Sequence, residues 1–181
     1  MDDDADQVLV ERWRTGDREA FAALVIRYQR PIYNAAFWIV RKPEDASDIA
    51  QTVFLRAAER LDEYDVRYKF FSWIYRIAVN ESLNLLRRNG REEALDDDVD
   101  LPGSVREEPE RRVADAQLST AVRMALMQMS TSDRTVLVLR HFSECSYQEI
   151  GQILELDEKT VKSRLYEARQ HLRDRLKDHM I

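Results

Sequence analysis

The chain has 181 residues, a formal net charge of −6, 44% hydrophobic and 34% charged residues, and only four Gly and four Pro. That length holds one ordinary domain or two small ones, and so few Gly and Pro favour helices over an all-β fold. No apolar run approaches the ~20 residues of a membrane span, no signal peptide precedes the acidic N-terminus, and the single Cys145 excludes an internal disulfide, so a reducing cytoplasm is expected.

Taken in order, residues 6–29 predict two helices broken at Thr15–Gly16, with Asp17 as N-cap of the second and a stripe of Phe21, Leu24, Val25 and Tyr28. Pro31 is expected to start another helix, continued through Tyr33, Ala36, Phe37 and Val40. Pro43 opens the next at its first turn, where its missing N–H is no loss. That helix, Glu44 to about Leu61, buries Ala46, Ile49, Ala50, Val53, Phe54, Ala57 and Leu61. Asp45, Asp48, Thr52, Arg56 and Glu59 fall on a neighbouring, solvent-facing line. Tyr64 to Phe71 has no clean period and reads as a loop, and Ser72 is expected to cap a helix from Trp73 to about Arg88. Ile74, Ile77, Ala78 and Leu85 face its core side, and Arg76, Asn80, Asn84, Arg87 and Arg88 its other side. Aromatics beside a basic, amide-bearing face suit melted nucleic acid: bases stack on rings and cations track phosphates. Trp73 and Tyr75 fit simple core packing equally well.

From Asn89 to about Arg112 periodicity collapses into Gly, Pro and acids, the composition of a flexible tether. Residues 92–110 hold nine acids against Arg106 alone, whereas residues 159–177 hold seven basic residues against Glu167 and Asp174. The negative total is therefore a property of the linker, and a basic stripe runs along the last helix. The expectation is an all-α protein of two small helical domains: residues 1–90, a flexible acidic linker 91–113, and a helix-turn-helix domain 114–181. Residues 114–129 form an amphipathic helix. Ser130 or Ser132 caps the next, with Val136, Leu137, Leu139 and Phe142 turned inward.

The last pair of helices starts at Tyr147. Tyr147, Ile150, Ile153 and Leu154 share a face, and Gly151 stands where a side chain would hold a second helix away. After a turn at Glu155–Asp157, Asp157 caps a helix burying Val161, Leu165, Ala168 and Leu172. Its outer side carries Lys159, Thr160, Lys162, Ser163, Arg164 and Arg169. This pattern fits a helix-turn-helix whose second helix lies in a DNA major groove.

With these residues in hand, the chain resembles the extracytoplasmic-function (ECF, group 4) sigma factors of the bacterial sigma-70 family. The resemblance rests on DQVLVERWRTGDREAFAALVIRYQ, DASDIAQTVF and FSWIYRIAVN in the first half and SYQEIGQIL and KTVKSRLYEAR in the second. It implies a subunit that directs core RNA polymerase to promoter DNA in the cytoplasm. Core binding at the clamp coiled coil would fall to Asp45, Asp48, Gln51, Thr52 and Arg56. Recognition and opening of the −10 element would fall to Lys69, Trp73, Arg76, Asn80, Asn84, Arg87 and Arg88, and −35 reading to Lys159, Thr160, Lys162, Ser163, Arg164 and Arg169.

Five positions depart from the family pattern. Thr52, and Ser47 less strictly, stand where a carboxylate is usual, and a lost carboxylate removes roughly 1.5–3 kcal/mol of hydrogen bonding to a charged partner. Phosphorylation of Thr52 by a Ser/Thr protein kinase would restore about −1.5 to −2 of charge there. The alternative is an anti-sigma partner without phosphorylation. Glu167, and Glu158–Lys159 at the start of the reading helix, also differ from common family choices. Cys145 reads as a core residue rather than a redox sensor. An autonomous helix-turn-helix regulator is the competing class, but a sensor domain has no reason to carry DASDIAQTVF with FSWIYRIAVN. No Gly-rich phosphate loop, nucleophile–base pair or ligand cluster points to catalysis, a cofactor or a metal.

Overall fold

The computed structural model describes residues 3–90 and 112–178, with side chains from 5 to 90 and 120 to 177; among the described residues every regular element is helical. The helices are α1 (Asp3–Arg14), α2 (Arg18–Val40), α3 (Pro43–Glu59), α4 (Phe70–Arg88), α5 (Arg112–Met127), α6 (Thr131–His141), α7 (Tyr147–Leu154) and α8 (Glu158–Asp178), with a short 3-10 turn at Leu61–Glu63. The expected tether lies mostly outside the described residues, and α5 begins two residues before the expected position.

The break between α1 and α2 is where the sequence places it. Gly16 adopts φ 92°, and the Asp17 carboxylate accepts from the backbone N–H of Glu19 at 2.9 Å and of Ala20 at 3.2 Å. The Arg12 guanidinium and these amides together hold the Asp17 carboxyl below its ordinary range. Pro31, expected to begin a helix, instead lies inside α2, which runs unbroken to Val40. A Pro in a helix interior costs about 3 kcal/mol. The offset is tertiary: Leu24, Tyr28, Ile32, Ala35, Ala36 and Ile39 are all buried along one stripe that crosses the Pro.

In α3, Ala46, Ile49, Val53, Phe54 and Ala57 are buried, while Ala50 and Leu61 are only partly so. Helix α4 starts at Phe70, three residues before the expected start, and Ser72 is a buried interior residue rather than its cap. The reason is the pair Phe70 and Phe71, which pulls the loop end into the core: Phe70 meets Tyr28 at 5.5 Å, Tyr64 at 5.8 Å and Trp73 at 5.7 Å between ring centroids. Tyr75, Val79 and Leu86 take buried places, leaving Ile77 and Leu85 on the rim. Asp6, 1% exposed, accepts from both Arg27 and the Tyr28 hydroxyl and ties α1 to α2.

Of the two candidate caps for α6 the structure uses Ser130, whose Oγ accepts from Asp133 N at 3.1 Å, and Asp157 caps α8 as expected, accepting from Thr160 N at 2.8 Å; α7 adds a reciprocal capping box of Ser146 and Glu149. Gly151 is required by the turn backbone rather than by a facing helix: a Cβ there would meet the Leu156 carbonyl oxygen at 2.7 Å. Phe142, expected inward, is 50% exposed and lies against the Trp38 ring at 4.9 Å. Val161, Leu165 and Ala168 close the core under α8.

The two halves pack on each other through α4 against α7 and α2 against α6. At the centre is Arg134, 1% exposed. It donates to Trp38 O at 2.6 Å, Ile39 O at 3.0 Å and Met129 O at 2.8 Å, and Arg41 donates to Met127 O at 3.0 Å. Trp38 and Ile39 belong to the last turn of α2, whose carbonyls have no partner within the helix. A cation from the other half thus caps the negative end of α2. Burial first, then the neighbouring Arg41, pull the Arg134 guanidinium down to about 9, which leaves it charged at neutral pH.

Candidate nucleic-acid interface

The outer face of α8 is open to solvent, with Lys159, Lys162, Ser163, Arg164 and Arg169 all exposed. Several of these groups have local partners. The Thr160 hydroxyl donates to Asp157 Oδ2 at 2.6 Å, so Thr160 is committed to the cap and only partly exposed. Hydrogen bonds from the Thr160 hydroxyl and backbone amide hold the Asp157 carboxyl below its usual range. Lys162 meets Glu158 at 2.7 Å and lies 5.6 Å from the Tyr147 ring centre, and the Glu158 carboxylate raises its ammonium above the ordinary value. Arg169 Nη2 lies 3.5 Å from His141 Nε2.

The second basic face belongs to the loop before α4 and to α4 itself. Asn80, Asn84, Arg87 and Arg88 are exposed along one side. Trp73 is half-buried, tilted against Tyr64 at 5.2 Å and Phe70 at 5.7 Å. It is both a core contact and an edge of the surface. Lys69 and Arg76 point at the other half of the molecule. Lys69 Nζ is 3.2 Å from Glu149 Oε1, and Arg76 Nη1 is 3.3 Å from Glu155 Oε1, both acids belonging to α7 and its C-terminal cap. Beside the Arg76–Glu155 pair lies a cleft of about 330 Å³, lined by Glu63, Tyr64, Asp65, Tyr68 and Trp73 from the first half and by Gly151 and Gln152 from the second. Ser72 Oγ and Gln152 Oε1 are enclosed at this junction without a hydrogen-bond partner.

On α3, Asp48, Gln51 and Arg56 are exposed, whereas Asp45 is half-buried and Thr52, expected to be fully exposed, is half-buried too. Arg56 pairs with Glu59 at 3.0 Å and reaches Glu81 of α4 at 3.8 Å. Sequence reasoning missed the acids opposite Lys69 and Arg76. Glu149 was visible as the fourth residue of Ser-Tyr-Gln-Glu, a capping-box pattern, but nothing local announced its second role.

Family models match the two halves separately: Sigma-70 region 2 over residues 24–92 and Sigma-70, region 4 over residues 119–172. The ECF RNA polymerase sigma factor SigW of Bacillus subtilis is 32% identical over 93% of this chain and 95% of its own length. The chain is an ECF sigma factor. The ECF RNA polymerase sigma-E factor of Escherichia coli K12 is 33% identical over 91% of both chains. Among solved structures, CnrH in complex with the cytosolic domain of CnrY has a TM-score of 0.73 at 26% identity, covering 96% of this chain and 98% of that one. The sigma factor RpoE bound to the anti-sigma factor NepR, from Bartonella quintana, shares the fold, with a TM-score of 0.66 at 24% identity over 87% of this chain and 96% of that one. No described helix of this sigma factor is long and apolar enough to cross a membrane.

Proposed function

We propose that this sigma factor acts in the bacterial cytoplasm by a two-point grip on promoter DNA. In this reading α3 docks on the clamp coiled coil of core polymerase through Asp45, Asp48, Gln51, Thr52 and Arg56. The loop and α4 open the −10 element, and α8 reads the −35 element. Residues 1–90 then carry core binding and melting, residues 91–113 the tether, and residues 114–181 upstream recognition. The observation that carries the reading is the pairing of two basic faces on one chain, one flanked by aromatics and one a solvent-open helix after a tight turn. In vitro transcription with core polymerase tests it. Arg76→Ala should reduce open-complex formation by a factor of ten or more while Arg164→Ala lowers occupancy of the upstream element. Unchanged promoter opening in Arg76→Ala removes the −10 assignment.

The same reading makes Thr52 a regulatory position. Thr52 sits where the family usually has a carboxylate, one turn after Asp48 and one turn before Arg56. A kinase-added phosphate there supplies the missing negative charge at the polymerase-facing helix. The cation one turn further along is Arg56, whose present partners are Glu59 and Glu81. A promoter reporter comparing wild type, Thr52→Ala and Thr52→Glu in cells with intact kinases tests this. Equal output from Thr52→Ala and wild type under the inducing condition rules the switch out.

An anti-sigma partner is the second reading. Complexes of CnrH with CnrY and of RpoE with NepR favour it, since this chain shares their fold. Co-purification followed by mass spectrometry separates the two readings and also separates both from an autonomous regulator, which would bring no core polymerase.

A further inference from the structure

We propose that Glu167 is a specificity-determining residue of the −35 surface, accepting a hydrogen bond from the N4 amino group of a cytosine. The proposal rests on the −35 reading above and names the base that one position of that element must carry. Val161, Leu165 and Ala168 are buried and mark the side of α8 turned to the core. At about 100° per residue, the line opposite them runs through Lys159, Ser163 and Glu167. All three are exposed. The other cations lie to either side of this line. Lys162 and Arg169 flank it towards α7 and α6, with Lys162 5.6 Å from the Tyr147 ring centre and Arg169 3.5 Å from His141 Nε2. Arg164, also exposed, stands on the other flank.

A helix lying in the major groove turns its flanks towards the two phosphate backbones and its middle line towards the base edges. The flanks of α8 therefore match phosphates, while the middle line offers the bases one ammonium, one hydroxyl and one carboxylate. A carboxylate repels phosphates and the O6 and N7 acceptors of guanine. Adenine presents an amino donor, but next to its N7 acceptor, which opposes a second carboxylate oxygen. Cytosine presents its amino donor alone, and that is the group Glu167 fits. At any other base the carboxylate stays unpaired against acceptors, so Glu167 acts by penalising wrong sequences as well as by bonding the right one. Lys159 and Glu167 are eight residues apart in one helix. That is about 12 Å along the axis, or three to four base-pair steps of about 3.4 Å. The Lys159 ammonium fits guanine O6 and N7, so a guanine-specified and a cytosine-specified position should lie that far apart.

Selection from a random-sequence duplex library, with the full-length chain assembled on core polymerase, tests the assignment. The wild type should enrich an upstream position at which cytosine outcompetes the other bases at least about fivefold, the lower end of what a good base contact supplies. Glu167→Gln should lose that preference and gain adenine there, because a carboxamide matches N6 and N7 together. Glu158→Gln removes the same charge from the flank, where Glu158 is paired with Lys162 at 2.7 Å, and should leave the preference in place. A cytosine preference that survives Glu167→Gln overturns the role of Glu167 and leaves the −35 reading intact. Equal loss in Glu167→Gln and Glu158→Gln also overturns it, since net charge rather than position would then decide. A wild type that enriches no upstream sequence overturns the −35 reading, and this assignment with it.

Discussion

The two basic faces of this sigma factor differ in where their counter-charges come from. On α8, Lys162 and Thr160 are held by Glu158 and Asp157, neighbours one turn away on the same chain segment. On the loop and α4, Lys69 and Arg76 are held by acids more than 75 residues distant, on the other half of the molecule. The first arrangement presets side chains without hiding them. The second ties its cations to the packing of the two halves. Under the proposed assignment the difference means that similar cations would have different costs of DNA binding: one set exchanges a local partner, while the other gives up partners on the opposite half.

The strongest way to break this comparison is at Arg134. Arg134→Met keeps the approximate length and apolar stem, and leaves the carbonyls of Trp38, Ile39 and Met129 without their donor. Loss of charge-assisted bonds to carbonyls that remain buried should cost about 3 kcal/mol. Thermal unfolding should then shift down by roughly 6–12 °C for a chain of this size. Arg134→Lys should fail to rescue it, since an ammonium lacks the planar fork that reaches three carbonyls. A fall under about 2 °C would remove Arg134 from the centre of the junction.

Gly151→Ala attacks the other side. A Cβ at 2.7 Å from the Leu156 oxygen forces the turn to move, and overpacking of this kind costs about 1–3 kcal/mol. The turn sets the angle between α7 and α8, so weakened duplex binding should accompany the loss of stability. Wild-type denaturation midpoint in urea for Gly151→Ala would show that the turn yields freely. Phe142→Ala is milder. Its ring contact with Trp38 is worth roughly 0.5–1.5 kcal/mol beyond area. It should lower the midpoint of urea unfolding by less than Gly151→Ala does, and an unchanged midpoint would mean that the ring contact contributes nothing to the packing of the two halves.

What the sequence made legible divides along the same line as the two faces. Short-range features are readable: the caps at Asp17, Ser130 and Asp157, the stripe Ala46–Ile49–Val53–Ala57, and the exposed cations of α8 follow from spacing of four residues or fewer. Features set by distant contacts are not. Pro31 reads as a helix start because local rules make it a breaker, and only the buried stripe from Leu24 to Ile39 carries the helix through it. Ser72 reads as a cap because Ser before a periodic run usually is one, yet Phe70 and Phe71 find a core and move the start. Arg134 lies one turn before the inward-facing Val138, but a long cation on such a line ordinarily snorkels to water. Here the last carbonyls of α2 hold it in, and no local pattern announces them. Thr52 was placed by helical periodicity on the solvent side. In the structure it is half-buried.

The smallest effect expected comes from titration at the junction side of the C-terminal half. Cys145 is buried, and desolvation first, then the Glu149 carboxylate, push its thiol from an ordinary 9.0 to about 12. The unfolded chain therefore releases this proton near pH 9 while the folded chain holds it. Stability from this group is fully present below pH 9 and is lost as pH rises from 9 toward 12, by at most about 1.4 kcal/mol per pH unit. Tyr75, likewise pushed up to about 12 by burial, adds a second slope beginning near pH 10. Because Arg134, held near 9 in the folded chain, contributes an opposite slope over the same range, the comparison is made between proteins: in urea unfolding at pH 8, 9 and 10 the stability of wild type relative to Cys145→Ala should fall by about 1 kcal/mol between the last two. An unchanged slope in Cys145→Ala would mean that the thiol is already solvated in the folded chain, and with it that the packing beneath α7 is looser than the junction requires.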